Sequence, residues 1–107
     1  MVMAIRLVET PKFSLGRVVM TQGAFAALED HPEKATAMLA RHSSGDWGNV
    51  CDDDKRENDR ALCAGDRLIS AYPIDETMPC GGHGDNCMWL ISEWDRSVTT
   101  FLLPSEY

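Results

Sequence analysis

Met88-Trp89-Leu90-Ile91-Ser92-Glu93-Trp94-Asp95-Arg96-Ser97-Val98-Thr99-Thr100-Phe101-Leu102-Leu103 is the stretch that decides the fold. Two runs rich in Ile, Val, Thr and aromatic residues, Met88 to Trp94 and Ser97 to Leu103, flank Asp95-Arg96. Such side chains suit a pleated, half-buried surface, and two polar residues are short enough for a tight hairpin connection. Upstream, Arg67 to Tyr72 has the same texture, so three strands in a meander are expected. Between that strand and the hairpin, Pro73 to Cys87 is a long loop carrying Gly81, Gly82 and Gly84.

Further back the texture is helical. Leu15 to Met20, with Val18, Val19 and Met20 after Gly16, reads as a first short strand, and Thr21 as the N-cap of a helix through Ala24, Phe25, Ala27 and Leu28. Asp30-His31-Pro32 interrupts it, because the residue before proline is pushed out of the α region. Pro32 then opens a second helix with Ala35, Met38, Leu39 and His42 on one side, ended by Gly45. A third helix follows the turn-rich segment 43–49, with Asp52, Asp53 and Asp54 in a first turn where the macrodipole favours acids, and Gly65 at its C-terminal cap. Asp46-Trp47-Gly48 is expected to form a fixed corner between these two helices, the Trp47 ring partly buried and the Asp46 carboxylate capping the next turn. The order β-α-α-α-β-β-β describes an α+β fold with helices on one face of a small antiparallel sheet.

The chain of 107 residues is the length of one domain, residues 1–107, with residues 1–12 expected to be a loose N-terminal arm. No apolar run approaches the ~20 residues of a membrane span, and MVMAIRLVET lacks the long apolar stretch and cleavage site of a signal peptide. A cytoplasmic protein with free thiols at Cys51, Cys63, Cys80 and Cys87 is the expectation. The net charge of −7 is uneven: residues 1–44 hold four acids against five bases, residues 45–107 thirteen against five. A face of that sign repels phosphate, which argues against direct nucleic-acid binding.

Candidate chemistry is sparse. Cys80, His83 and Cys87, with Asp85 or Cys63 as a fourth ligand, could in principle form a metal site, but six residues separate the two loop cysteines and no tight knuckle is present. A flexible glycine loop with unmodified thiols is the simpler account, so no metal and no cofactor are expected. Cys80 and Cys87 could also face one another at the base of the loop and oxidise. The loop lacks the Gly-Lys-Ser/Thr ending of a phosphate cradle. A cysteine or serine could meet His31, His42 or His83 in space, but no local signature selects a pair, and His42 suits a histidine at the edge of the core. The acid-rich segment from Asp46 to Asp66 holds seven acids against three bases. Asp52 with Arg56 and Lys55 with Asp59 have the spacing of i,i+4 pairs on a solvated helix, and the pattern of a calcium loop is missing.

Three stretches resemble a family of short uncharacterised bacterial proteins encoded on plasmids and integrative conjugative elements. They are Leu-Gly-Arg-Val-Val-Met-Thr-x-Gly-Ala-x-Ala-Ala-Leu from Leu15, Leu-Ala-Arg-His-x-x-Gly-Asp-Trp-Gly from Leu39, and Asp-Arg-Ser-Val-Thr-Thr-x-Leu-Leu-Pro-x-Glu-Tyr from Asp95. The similarity covers nearly everything after Phe13. It implies a mobile-element origin and carries no catalytic residues. Some relatives bear the label of a restriction enzyme's modification subunit, for which this chain has neither the length nor the glycine-rich loop. The loop from Asp75 to Cys87 is longer than the tight hairpin expected of the family.

The expectation drawn from charge and resemblance is a non-enzymatic regulator or inhibitor, such as an anti-defence or anti-CRISPR protein. Its acidic residues Asp52, Asp53, Asp54, Glu57 and Asp59 would occupy a basic surface on a partner protein. Two alternatives stand beside it: a small metal-binding or thiol-dependent protein using the Cys80–Cys87 loop, and a module whose acidity serves only solubility.

Overall fold

The computed structural model describes residues 11–107. The elements run β1 (Arg17–Met20), α1 (Gln22–Leu28), α2 (Pro32–Ser43), α3 (Asp52–Ala64), β2 (Leu68–Pro73), β3 (Cys87–Ser92) and β4 (Val98–Leu102), then a 3-10 turn at Pro104–Glu106. This is the expected β-α-α-α-β-β-β order. The four strands form one sheet in the order β1-β4-β3-β2. β2, β3 and β4 make the antiparallel meander, and β1 adds to its far side parallel to β4, Arg17 opposite Val98 and Met20 opposite Phe101.

Local signals place the helix ends as anticipated. The Thr21 hydroxyl accepts from Ala24 N at 3.2 Å, and Gly65 closes α3 in the left-handed region at φ 78°. The hairpin is looser than two residues. β3 ends at Ser92, Arg96 N donates to Glu93 O, and Arg96 takes a positive φ of 61°. An arginine there costs about 1–2 kcal/mol. Its guanidinium offsets that by bonding Asp66 O at 2.6 Å and Ala61 O at 3.1 Å, carbonyls at the C-terminal end of α3, and by lying 5.6 Å from the Phe13 ring centre. Trp94, expected in the strand, projects from this turn and is exposed.

Register alternation puts Leu68, Ser70 and Tyr72 of β2, Met88, Leu90 and Ser92 of β3, and Thr99 and Phe101 of β4 on the face that the helices cover. Ala24, Leu28 and Met38 of α1 and α2 pack there against Tyr72, Met88, Leu90 and Phe101, while Ala61 of α3 joins Trp47 and Leu68. The C-terminal turn is tied to the start of α1: Glu106 accepts from the Thr21 hydroxyl at 2.6 Å and from Gly23 N at 3.0 Å. The expected loose arm at residues 1–12 falls mostly outside the described residues; at its described end Lys12 N donates to Ser43 O at 2.7 Å.

Candidate interaction surface

The acidic helix is positioned by the outer edge of β2. A six-residue edge strand presents unpaired backbone groups, and these must be covered or they recruit other chains. Asn58, on the buried side of α3, does this with its amide: Nδ2 donates to Ile69 O at 2.7 Å and Oδ1 accepts from Ile69 N at 3.2 Å. One step along, the corner continues the pairing. Ala71 N donates to Trp47 O, and Asn49 N to Ala71 O at 2.7 Å. Gly48 has to be glycine, since its φ is 74° and a Cβ would sit 2.1 Å from Ala71 O.

The corner is fixed as expected and more deeply buried. Trp47 is 4% exposed, and its indole Nε1 donates to Asp59 Oδ1 at 2.9 Å. Asp46 accepts from Gly48 N and from the Arg41 guanidinium, which holds its carboxyl below the usual carboxylate range. The Tyr72 hydroxyl donates to Asp46 O at 2.7 Å, and burial raises its pKa above the ordinary tyrosine value.

Against this frame the five acids of α3 are not equivalent. Arg56 pairs with Asp53, and Arg60 bridges Glu57 and Asp66. The i,i+4 pairs expected for Asp52 with Arg56 and Lys55 with Asp59 are therefore replaced by i,i+3 pairs. Arg60 is drawn toward the helix end by Asp66, and Asp59 is taken by the indole of Trp47, a partner no helical spacing reveals. Asp52 and Asp54 are left exposed and without an ion pair among the described residues.

Asp54 lines a groove of about 290 Å³. One wall is Val50, Cys51 and Asp54, the other Gly81, Gly82 and His83 of the long loop, and the floor is Ile69 and Trp89. Trp89 is pinned, its Nε1 donating to Gly82 O at 2.8 Å and its ring meeting Tyr107 edge-on at 5.5 Å. The sequence shows no sign that Asp54, Cys51 and His83 share a groove, because the loop meets the start of α3 only through tertiary contacts such as that of Asn49 with Cys80 O. The candidate ligands Cys80, His83, Cys87, Asp85 and Cys63 are not gathered; among the described residues no three His, Cys, Asp or Glu side chains are arranged to hold a metal ion.

His42 lies deeper than the core edge, at 0% exposure. Its Nδ1 is 2.6 Å from Ser70 Oγ and its Nε2 2.9 Å from Ser92 Oγ, and Ser92 is 2.6 Å from Thr99 Oγ1. Thr99 donates to Leu15 O at 2.7 Å, so Ser92 donates to Thr99, Nε2–H to Ser92, and Ser70 to Nδ1. The imidazole is neutral in this chain of bonds. Burial, reinforced by the charge of Arg96, lowers its pKa to about 4. A serine beside a histidine is the start of a nucleophilic site. Here both are sealed under α2, where no substrate reaches them. No helix among the described residues is long and apolar enough to cross a membrane. No family model, curated protein or solved structure matches the chain.

Proposed function

We propose that this chain is a non-enzymatic, cytoplasmic binding protein that docks on the basic surface of a partner protein and inhibits or regulates it. The observation that carries the reading is a pair of exposed carboxylates without an ion pair among the described residues, Asp52 and Asp54, the second of which lines a groove floored by Ile69 and Trp89. A lysine or arginine of the partner would lay its stem over the Trp89 ring and bring its charge to Asp54. Asp53, Glu57 and Asp59 contribute less, being held by Arg56, Arg60 and Trp47. Steering follows from the net charge of −7, which attracts a basic surface from a distance and repels nucleic acid. The resemblance to mobile-element proteins supplies a setting, since covering the nucleic-acid groove of a host defence protein is an anti-defence or anti-CRISPR activity. The enclosure of His42 and Ser70 favours binding over catalysis. The rival reading, a thiol-dependent protein, has one observation in its favour, the Asn86 amide that holds the chain before Cys80 against the start of β3 at Cys87.

The test is a low-salt pull-down followed by association kinetics with the partner it identifies. Replacing Asp52 and Asp54 with Asn should slow association about tenfold and flatten its salt dependence, with the fold intact. Replacing Asp53 and Glu57 should do much less. Unchanged kinetics in the first variant would leave the acidity a matter of solubility alone.

A further inference from the structure

Two of the four thiols are held together by the backbone around them. Cys87 opens β3 opposite Pro73 and is fully buried, while Cys80, half-buried, closes the strand-to-loop segment before it. The Asn86 amide sits between them. Its Nδ2 donates to Asp75 O, Met78 O and Pro79 O at 3.0, 3.1 and 3.2 Å, so the residue before Cys87 grips the residue before Cys80. From outside, Asn49 Nδ2 donates to Cys80 O at 2.9 Å. Between the cysteines lies a six-residue glycine loop, with Gly82 and Gly84 at positive φ. The Asn86 clamp thus brings Cys80 and Cys87 to the two ends of one loop base, near enough for the Cys80 thiol to act on the Cys87 thiol.

We propose that Cys80 and Cys87 are a built oxidation site, forming a reversible internal disulfide by exchange with a small disulfide of the glutathione class. The Cys80 thiol, nearer solvent, loses its proton and attacks the small disulfide, expelling one thiolate and leaving a mixed disulfide on Cys80. Cys87 then loses its proton and attacks the Cys80 sulfur, expelling the second thiolate. The chain gives up two hydrogens and the small disulfide is reduced to two thiols. Burial raises the Cys87 thiol above the ordinary cysteine value, so the second step is slow near neutrality and quickens as pH rises. Cys51 and Cys63 cannot pair with one another. They stand at opposite ends of α3, about 18 Å apart along its axis.

The experiment uses the whole chain, incubated with oxidised and reduced glutathione at mildly alkaline pH, alkylated, and mapped by mass spectrometry. The expected product has two of its four thiols protected, a peptide link between Cys80 and Cys87, and full return on adding dithiothreitol. The Cys51→Ser/Cys63→Ser variant, changed only at exposed positions, should lose both remaining thiols together. Its closure rate should rise about tenfold per pH unit below the Cys87 pKa. Four free thiols at the end, glutathione adducts that never resolve, or links through Cys51 or Cys63 would each overturn the proposal. Because the readout is on the protein alone, failure of the docking reading leaves it untouched.

Discussion

At the outer edge of β2, the outward N–H and C=O of Ile69 and Ala71 are all taken, by the Asn58 amide and by the backbone of Trp47 and Asn49. At the opposite edge, β1 runs for four residues, its Arg17 N donating inward to Ser97 O just before β4 and the following Thr21 N to Phe101 O of β4, and among the described residues no strand lies beyond it. Val18 and Met20 stay 39% and 36% exposed there. The contrast teaches how edge length sets the need for cover. A long apolar edge demands dedicated side chains, whereas a short edge beginning with an arginine carries less risk of mispairing and has no such cover among the described residues.

The largest effect should come from breaking the sealed edge at its anchor. Trp47→Ala removes a buried ring and frees the corner that pairs with Ala71, at a cost of about 3–5 kcal/mol in denaturant unfolding. A shift in Tm of a degree or two would show the edge is held without it. Next comes pH, acting on the bond chain that crosses the sheet from Ser70 of β2 through His42 to Leu15 before β1. His42 stays neutral in the fold down to about 4, whereas the unfolded chain takes up a proton near 6.5. The unfolded state binds more protons in that window, so stability is full above it and falls as pH drops through it, by about 3 kcal/mol in all. A flat unfolding free energy across the window would remove the buried neutral imidazole from the account.

Asn58→Ala should cost about 2 kcal/mol by leaving Ile69 N–H and C=O unpaired, with faster amide exchange at Ile69 and little change at β1. Equal loosening of both edges would mean the cover is not local. Val18→Lys on the β1 edge should shift stability by less than about 0.5 kcal/mol. A large loss there would show that the β1 edge is in fact packed.

The sequence carries the elements because they rest on local chemistry: Thr21 and Gly65 at helix ends, Pro32 at a helix start, alternation through Ser97 to Leu103. It does not carry what depends on two distant elements meeting. Nothing in the helical period of α3 says that Asn58 will pair with a strand edge or that Asp59 will serve an indole, and so all five acids look alike in sequence. The parallel seat of β1 beside β4 is equally hidden, since proximity along the chain favours no such partner. Arg96 is a subtler case. Two polar residues promise a tight turn, yet its guanidinium is needed at the end of α3, and the turn opens to reach it.

The parallel seat of β1 has a bearing on synthesis. Its partner is the last strand of the sequence, and α1 just after it is held by Glu106. On a ribosome, the first strand and first helix must wait, exposed, until residues 98–106 have emerged. Contacts of such high sequence separation slow closure and lengthen the time that Val18, Met20 and Phe25 are open to other nascent chains. Docking of β1 and α1 therefore waits on residues 98–106, and slow translation between the two would prolong the exposed stage rather than help it.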